Sequence, residues 1–343
     1  MRSQLPVKSD DIVSLENLLE AWDEFIVGKR SRKDVQLFGL NLMDNLMALH
    51  HDLVRGSYQH GPYQAFSISD PKPRNIHKAS VRDRVLHHAF YKKLYPFFDR
   101  TFVTDSYSCR RDKGTHKAIK QFRQLAGRVS RNNTRTCWVL KCDIRKFFAS
   151  IDQGILLYIL STYIPEEKVL WLLEKIVGSF HSTKLGKGLP LGNLTSQLLV
   201  NIYMHEFDQY MKHRLKARCY LRYADDFAIL SSDKDELKQF IDPIQQFLDQ
   251  CLQLELHPDK ISIKTIASGV DWLGWVQFPH HLVLRTTTKR RMQRKLQNTP
   301  SPESLASYLG LIQHGNADSL RVELLDSYRL SMKGGYEDRL MYS

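Results

Sequence analysis

The stretch YLRYADDFAIL, residues 220–230, holds two adjacent aspartates between two short runs of strand-forming residues. This pattern is typical of a β-hairpin with a polar tip. A second strand-forming run, CWVLKC at 137–142, ends directly at Asp143. If the strands are neighbours, Asp143, Asp225 and Asp226 meet at one edge of a sheet, although 82 residues (225 − 143) separate the first two. On its own, an Asp-Asp pair more often only forms a polar turn.

Three aspartates on rigid strands suit phosphoryl transfer to a nucleic-acid 3′-hydroxyl. That reaction is accelerated chiefly by positioning and by neutralising charge on the transferred phosphate. Two Mg²⁺ ions about 4 Å apart do this, and such hard cations take carboxylate oxygens as ligands. The aspartates therefore predict a site for two Mg²⁺ ions, with Mn²⁺ as an alternative.

The composition is that of a globular protein with a strong positive charge. The chain has 343 residues and is 42% hydrophobic, which allows a sizeable core. Lys and Arg number 50 against 37 Asp and Glu, a formal net charge of +13. We therefore expect a polyanionic partner, with nucleic acid favoured over an anionic membrane.

The sequence also bears on the compartment. No apolar run approaches the ~18 residues that span a bilayer, and the N-terminus lacks a long apolar run after its basic start. We expect a cytoplasmic protein of a bacterium, archaeon or phage, without membrane contact. The five cysteines are odd in number and form no CxxC pair, so reduced thiols are predicted rather than disulfides or a zinc site.

Several motifs between residues 71 and 279 occur in the order found in reverse transcriptases, and the chain resembles that family. These motifs are SVRDRVLHHAF (80–90), DSYSCRRDKGTHKAI (105–119), KCDIRKFFASID (141–152), GLPLGNLTSQLLVNIYMHEFD (188–208), RYADDFAIL (222–230), LELHPDKISI (254–263) and WLGW (272–275). The resemblance implies an RNA-directed DNA polymerase that binds template RNA, a primer or cDNA, and deoxynucleoside triphosphates.

The resemblance also implies the architecture. The family has an α+β, right-hand polymerase fold with fingers, a palm built on an antiparallel sheet, and a helical thumb. Applied to this chain, the fold predicts an N-terminal helical segment (1–70), fingers (71–137), a palm (138–279) with a helical fingers insertion near 154–185, and a thumb (280–343).

Catalytic and nucleotide-binding roles follow from the matching motifs. The family's metal-binding aspartates match Asp143, Asp225 and Asp226, and the backbone carbonyl of Ile144 is expected to help one metal. Phe148 matches the aromatic residue under the nucleotide sugar, whose bulk selects deoxynucleotides. The other positions expected to contact the incoming nucleotide are Lys72, Arg74, Arg110, Leu191 and Gln197.

Roles outside the nucleotide pocket follow in the same way. Lys260 matches a lysine that is a candidate for assisting the leaving group. Trp272 and Gly274 match the primer grip, although the tryptophans of WLGW are equally compatible with the palm core. In the thumb, a basic segment without acidic residues is expected to bind phosphates; it contains Arg285, Lys289, Arg290, Arg291, Arg294 and Lys295.

One segment departs from the common pattern. Many reverse transcriptases have a glutamine where this chain has Leu191, and Ser-Pro where it has Ser196-Gln197. The combination LGNLTSQ resembles the reverse transcriptases of diversity-generating retroelements. That branch implies error-prone copying of a retroelement RNA together with a small, basic, oligomeric accessory protein. Our hypothesis is that leucine at this position lowers fidelity.

Other readings stay open at the sequence level. A group II intron protein is the nearest rival, but those usually continue into DNA-binding regions, and only 64 residues (343 − 279) follow the palm here. A phage-defence reverse transcriptase is a second alternative. A catalytically inactive RNA-binding protein on the same fold fits the charge but leaves the aspartates unexplained, and a two-metal nuclease would not need Phe148.

Overall fold

Three antiparallel sheets organise the chain in the computed structural model, which describes residues 3–69 and 73–341, with side chains up to residue 331. The strands are β1 (Gln64–Ile68), β2 (Arg74–Lys78), β3 (Trp138–Asp143), β4 (Tyr220–Tyr223), β5 (Asp226–Ser231), β6 (Ser262–Thr265), β7 (Val270–Trp272), β8 (Trp275–Gln277) and β9 (Leu282–Leu284). The sheets have the orders β1-β2, β4-β5-β3-β6 and β7-β8-β9.

Helices make up most of the rest of the described chain. They are α1 (Ser9–Val13), α2 (Leu15–Ile26), α3 (Lys33–Leu40), α4 (Leu42–Arg55), α5 (Val81–Thr101), α6 (Thr115–Val129), α7 (Phe147–Ser150), α8 (Gln153–Ser161), α9 (Glu167–Val177), α10 (Leu194–Gln209), α11 (Lys234–Leu252), α12 (Thr286–Asn298), α13 (Pro302–Ile312) and α14 (Asp318–Met341). None of the helices described here is both long and apolar enough to cross a bilayer.

The four-stranded sheet lies between two hydrophobic cores. Successive residues of a strand point to opposite faces, and here they enter different cores. Leu140 and Ile229 belong to a core shared with α5, α8, α10 and α11, whereas Val139 and Leu230 belong to a core shared with α6 and the helices α12 to α14. A sheet covered on both faces explains why its strands read as nearly continuous apolar runs.

The second core joins the sheet β7-β8-β9 to the C-terminal helices. Trp272 and Trp275 are buried there with Met292 and Leu324. Gly315, in the turn before α14, lies so close to Trp275 that an added Cβ would overlap the indole ring and approach the Leu282 carbonyl oxygen to 2.9 Å. This turn therefore needs a residue without a side chain.

Some elements differ from the sequence-based expectation. Residues 11 to 55, where the apolar spacing predicts two helices, form parts of four, because short breaks at Ser14, near Gly28 and at Asn41 interrupt the pattern. The predicted boundary between residues 70 and 71 lies outside the described residues, and the strands on either side of it, β1 and β2, pair with each other. β9 lies in the segment assigned to the helical thumb but pairs with β8.

Candidate active site

Strand pairing brings the three aspartates together. Asp143, the last residue of β3, pairs directly with Asp226, the first residue of β5. Directly opposed residues of antiparallel strands have Cβ atoms about 4.5–5.5 Å apart. Tyr223 also pairs with Asp226, so Ala224 and Asp225 form the two-residue turn. The tip thus differs from the sequence prediction, because only one of the two adjacent aspartates lies in the turn.

The turn is held in an unusual conformation. Ala224 has φ 56, in the left-handed region that non-glycine residues seldom adopt. The Asp225 carbonyl accepts a hydrogen bond from the Ile144 amide at 3.3 Å, which ties the tip to the end of β3. Backbone strain of this kind is kept only where the surrounding structure enforces it.

A buried arginine enforces it. Arg222 donates to both carboxylate oxygens of Asp208, at 2.8 and 2.6 Å, and to the Ala224 carbonyl at 3.0 Å. Its side chain is 1% exposed and that of Asp208 0%. Burial opposes the charged form, but the Asp208 carboxylate outweighs it and raises the pKa of Arg222. Tyr220 donates to the same carboxylate at 2.6 Å.

Sequence reasoning did not identify this network, although a signal was present. Asn201 and Asp208 are polar positions seven residues apart on α10, a helix that is buried on nearly all sides. Two polar residues on one face of a buried helix indicate an internal partner, because unpaired polar groups are costly in a core. Asn201 donates to the Ser108 carbonyl at 2.8 Å and lies 3.5 Å from the Arg222 guanidinium.

The aspartates repel one another, and two lysines partly offset this. Burial raises the pKa of Asp225 to about 6, reinforced by the carboxylates of Asp226 and Asp143. Burial also raises the pKa of Asp226, against the opposing charge of Lys141. Lys260 Nζ lies 2.7 Å from Asp143 Oδ1, and Lys141 Nζ lies 3.7 Å from Asp226 Oδ1. The structure therefore places Lys260 at the site.

Lys141 was missed by sequence reasoning. It precedes Asp143 by two residues in β3, so strand alternation places both on one face. That spacing was visible in the KCD sequence. Its role at the site is that of a fixed positive charge beside the carboxylates.

The donor chemistry of the site fits a divalent cation. Among the side chains that the structure describes, none of which lies beyond residue 331, no group of three or more Asp, Glu, His or Cys residues is arranged to hold a metal ion. The aspartates are nevertheless oxygen donors of the kind Mg²⁺ prefers, and burial, reinforced by neighbouring carboxylates, raises the pKa of Asp225 and of Asp226. Lys260 already places a cation against Asp143. Asp143, Asp225 and Asp226 stay the residues predicted to hold the metal.

The glycine-containing loop before α10 joins the site to the β1–β2 hairpin. Leu189 donates its amide to the Phe148 carbonyl at 2.8 Å, and the Leu191 carbonyl accepts from the His77 amide of β2 at 3.0 Å. Gly192 has φ +105, and a Cβ there would lie 2.7 Å from Ile76 Cγ2. Leu191 and Phe148 are therefore fixed through their backbones.

The other residues predicted to contact the incoming nucleotide differ in their surroundings. Gln197 lines a cleft of about 350 Å³ with Gly192, Asn193 and side chains of β2. Arg74 is exposed at the start of β2. Lys72 lies outside the described residues, and its expected contact stays a prediction.

Arg110 requires a correction, because the structure uses its guanidinium internally. It donates to Asp99 Oδ1 at 2.7 Å and to the carbonyls of Val103 and Ser106 at 2.7 and 3.1 Å. Its side chain is only 6% exposed and packs against the Phe102 ring. Because its guanidinium N–H groups already bind these oxygens, Arg110 holds the loop after α5 in place and is not free to bind a triphosphate.

The two residues predicted to form the primer grip, Trp272 and Gly274, differ in their exposure. Trp272 is fully buried and stacks on Phe122 with ring centroids 5.6 Å apart, so its side chain belongs to the core and does not reach a primer. Leu273 and Gly274 form the tip of the β7–β8 hairpin, with φ 52 and φ 88. An added Cβ at Gly274 would meet nothing within 4 Å, so the space beside this tip is open.

The basic segment of the C-terminal region divides into paired and exposed residues. Arg285 binds Asp271 at 2.6 Å and Lys289 binds Glu323 at 2.9 Å. The exposed members of the set are Arg290, Arg294 and Lys295, while Arg291 is half-buried. Phosphate binding by the exposed residues stays a prediction.

A central antiparallel sheet held between helical layers, with three aspartates where its two inner strands meet the turn, is typical of polymerase-type nucleotidyltransferases. The chain belongs to the reverse transcriptase family: the family model described as "Reverse transcriptase (RNA-dependent DNA polymerase)" matches residues 69–277, more than half of the chain. The predicted enzyme class, an RNA-directed DNA polymerase, is thereby confirmed.

Individual relatives agree with this. Protein YkfC of Escherichia coli (strain K12) is 26% identical over 299 residues, covering 76% of each chain. The group II intron-encoded protein LtrA of Lactococcus lactis subsp. cremoris is 20% identical over 304 residues, covering 68% of this chain and 49% of its own length.

A solved structure supports the fold. Apo telomerase from Candida tropicalis, truncated from its C-terminal domain, aligns with a TM-score of 0.50 at 13% identity, over 68% of this chain and 59% of that chain. The likeness concerns the fold alone, and the predicted α+β right-hand architecture is confirmed.

Proposed function

We propose that the chain copies a retroelement RNA into DNA at the site formed by Asp143, Asp225 and Asp226. The observation that supports this most directly is the pairing of Asp143 with Asp226, which opposes two carboxylates across the sheet. Asp225 adds a third carboxyl at the adjoining turn. Bound divalent cations would activate the primer hydroxyl and stabilise the pyrophosphate that leaves.

The protein's own residues position the reactants. The three carboxylates, with the Ile144 carbonyl, fix the place where the primer end and the triphosphate meet. Phe148 lies beneath the deoxyribose and excludes a 2′-hydroxyl. Lys260, whose ammonium neutralises Asp143 here, moves to the triphosphate and holds a proton at Nζ for the leaving group.

Incorporation of labelled deoxynucleotides on a primed RNA template with Mg²⁺ tests this assignment. Asp225→Asn, Asp226→Asn preserves side-chain shape but removes two metal ligands, so extension should be lost. Asp242→Asn, an exposed position on α11, is the matched control and should extend like wild type. Equal extension by the double variant and wild type would falsify the assignment.

The particular role proposed is error-prone copying in a diversity-generating retroelement, with a basic oligomeric accessory protein as partner. Support comes from the LGNLTSQ segment and from the position of Leu191 in the loop that contacts β2. A leucine offers the incoming nucleotide no side-chain hydrogen bond, so base choice depends more on shape and pairing alone.

Restoring a polar contact tests this finer proposal. Leu191→Gln should lower misincorporation opposite template adenine, as read by sequencing the cDNA, and Leu191→Met is the control because it changes shape without adding a donor. An unchanged error rate in Leu191→Gln would remove the support that this residue gives.

A group II intron-type role is the second candidate, because LtrA is among the relatives. The two roles differ in their RNA. A gene for a variable protein with a repeat pair beside this gene favours diversification, whereas a flanking intron RNA that this protein helps to splice favours the intron role.

A further inference from the structure

A large cavity lies on the side of the palm sheet covered by α6. It measures about 770 Å³, within the roughly 300–1,000 Å³ typical of ligand sites. One flank of α6, the β7-β8-β9 sheet and the loop before β3 form its walls. Its lining includes Lys120, Arg123, Gln277 and Phe278.

This cavity is separate from the aspartates. Ile266 lines it and donates its amide to the Cys137 carbonyl, just before β3 begins. Asp143 lies at the other end of β3. Five strand residues at about 3.3 Å each place the two ends about 17 Å apart, so a ligand in the cavity would not occupy the catalytic position.

Gln277 marks the cavity as a binding site. It is 2% exposed, yet neither its side-chain NH₂ nor its side-chain oxygen has a hydrogen-bond partner. Buried amides in folded proteins are nearly always paired, so an unpaired one calls for an explanation. Because Gln277 also lines the cavity, a ligand with an adjacent donor and acceptor would complete its bonding.

The charges and rings around Gln277 narrow the choice of ligand. α6 contains four basic residues and no acidic one, and Lys120 and Arg123 are exposed without a salt bridge to any described residue. At the other wall, Phe278 stacks on His281 with centroids 4.5 Å apart. Cations beside aromatic surfaces are the usual means of holding single-stranded nucleic acid.

We infer that this cavity binds an unpaired adenine nucleotide of a single-stranded nucleic acid, at a site separate from the polymerase site. The Gln277 amide matches the neighbouring N6 donor and N7 acceptor of adenine. The ring of Phe278 offers the base a stacking face, and Arg123 and Lys120 contact the phosphates. The strand is either the RNA or the newly made DNA, since both carry the same base and phosphate.

The test is equilibrium binding of fluorescent hexa-adenylate, as RNA and as DNA, measured by anisotropy without Mg²⁺. Excess unlabelled primer–template duplex fills the polymerase site. Wild type should bind, and Gln277→Leu, similar in size, should weaken binding about tenfold because both base contacts are lost. Arg123→Glu should weaken binding and reduce its salt dependence.

Controls separate this proposal from folding and from the polymerase assignment. Lys168→Glu, an exposed charge reversal on α9, should bind as wild type does. Gln277→Leu should keep or exceed the wild-type thermal midpoint, because it removes an unpaired buried amide, and should keep the rate of primer extension. The inactive Asp225→Asn, Asp226→Asn protein should still bind hexa-adenylate, so loss of catalysis and loss of this site are distinguishable.

Two results would overturn the inference. One is equal affinity of wild type and Gln277→Leu for hexa-adenylate. The other is displacement of the probe as readily by polyglutamate as by unlabelled oligoadenylate, since that would reduce the site to a basic surface. If RNA binds and DNA does not, the strand is the template; the reverse result assigns it to the cDNA.

Discussion

Arg222 determines the shape of the catalytic turn through one buried side chain. Arg222 neutralises Asp208 and donates to the Ala224 carbonyl. This hydrogen bond stabilises Ala224 in its left-handed conformation. Arg222→Met would leave the Asp208 carboxylate buried without its counter-ion. We expect a loss of about 3–5 kcal/mol in the free energy of unfolding, measured by urea denaturation, together with reduced primer extension.

Two further variants separate charge from position. Arg222→Met, Asp208→Leu removes both charges and should recover much of the stability, but not extension, because the Ala224 carbonyl still lacks its donor. Lys238→Met, which breaks an exposed ion pair on α11, should change stability little. Recovery of extension in the double variant would contradict a positioning role for Arg222.

At the scale of elements, the turn between α13 and α14 docks the C-terminal helices onto the β7-β8-β9 sheet. Gly315 allows this because its backbone touches the Trp275 ring. Gly315→Ala would push a methyl group into a buried indole, and overpacking of this kind costs about 1–3 kcal/mol. The thermal midpoint should fall accordingly.

Gly310 provides the matched control for this prediction. It lies inside α13, and a Cβ there would meet nothing within 4 Å. Gly310→Ala should raise stability by about 0.5–1 kcal/mol, because alanine restricts the unfolded chain and favours helix. If both substitutions shift the midpoint alike, the close contact at Gly315 is not what fixes this turn.

Element contacts also show what the sequence could and could not predict. The trio of aspartates was predictable because strand period and motif agree at Asp143, Asp225 and Asp226. The roles of Arg110 and Trp272 were not predictable in this way. A motif match does not show whether a side chain makes its hydrogen bonds inside the protein or is buried in the core. Arg110 donates to Asp99, which lies 11 residues earlier near the end of α5, and the Trp272 ring stacks on Phe122 of α6.

At the scale of the whole molecule, two histidines on α5, the buried His87 and the half-buried His88, contribute to its response to acid. Burial lowers the pKa of His88 to about 4, aided by Lys29 and Arg84, and burial lowers the pKa of His87 well below its usual value. Both stay neutral in the folded state while the unfolded chain takes up protons below about pH 6.5. Through these two groups, stability should therefore fall from pH 6.5 towards 4, by at most about 1.4 kcal/mol per pH unit for each histidine, while the raised pKa of Asp225 acts in the opposite direction.

Comparing variants isolates this effect from other titrating groups. His87→Gln, His88→Gln should flatten the decline in the free energy of unfolding between pH 6.5 and 4, whereas His280→Gln, at an exposed position, should follow wild type. A double variant whose pH profile parallels that of wild type would show that other groups govern acid unfolding.

The pairing of Asp143 with Asp226 also determines when, during synthesis, the enzyme becomes competent. The two residues are 83 positions apart (226 − 143) and meet only when β5 adds to β3. At a translation rate of about 5–20 residues per second, the second aspartate is made roughly 4–17 s after the first. A nascent chain that ends before β5 lacks Asp226 and the strand that pairs with Asp143 on that side, so the proposed catalytic centre is incomplete. The proposed site therefore cannot form before β5 has been made, and chains that terminate earlier are expected to be unable to copy RNA.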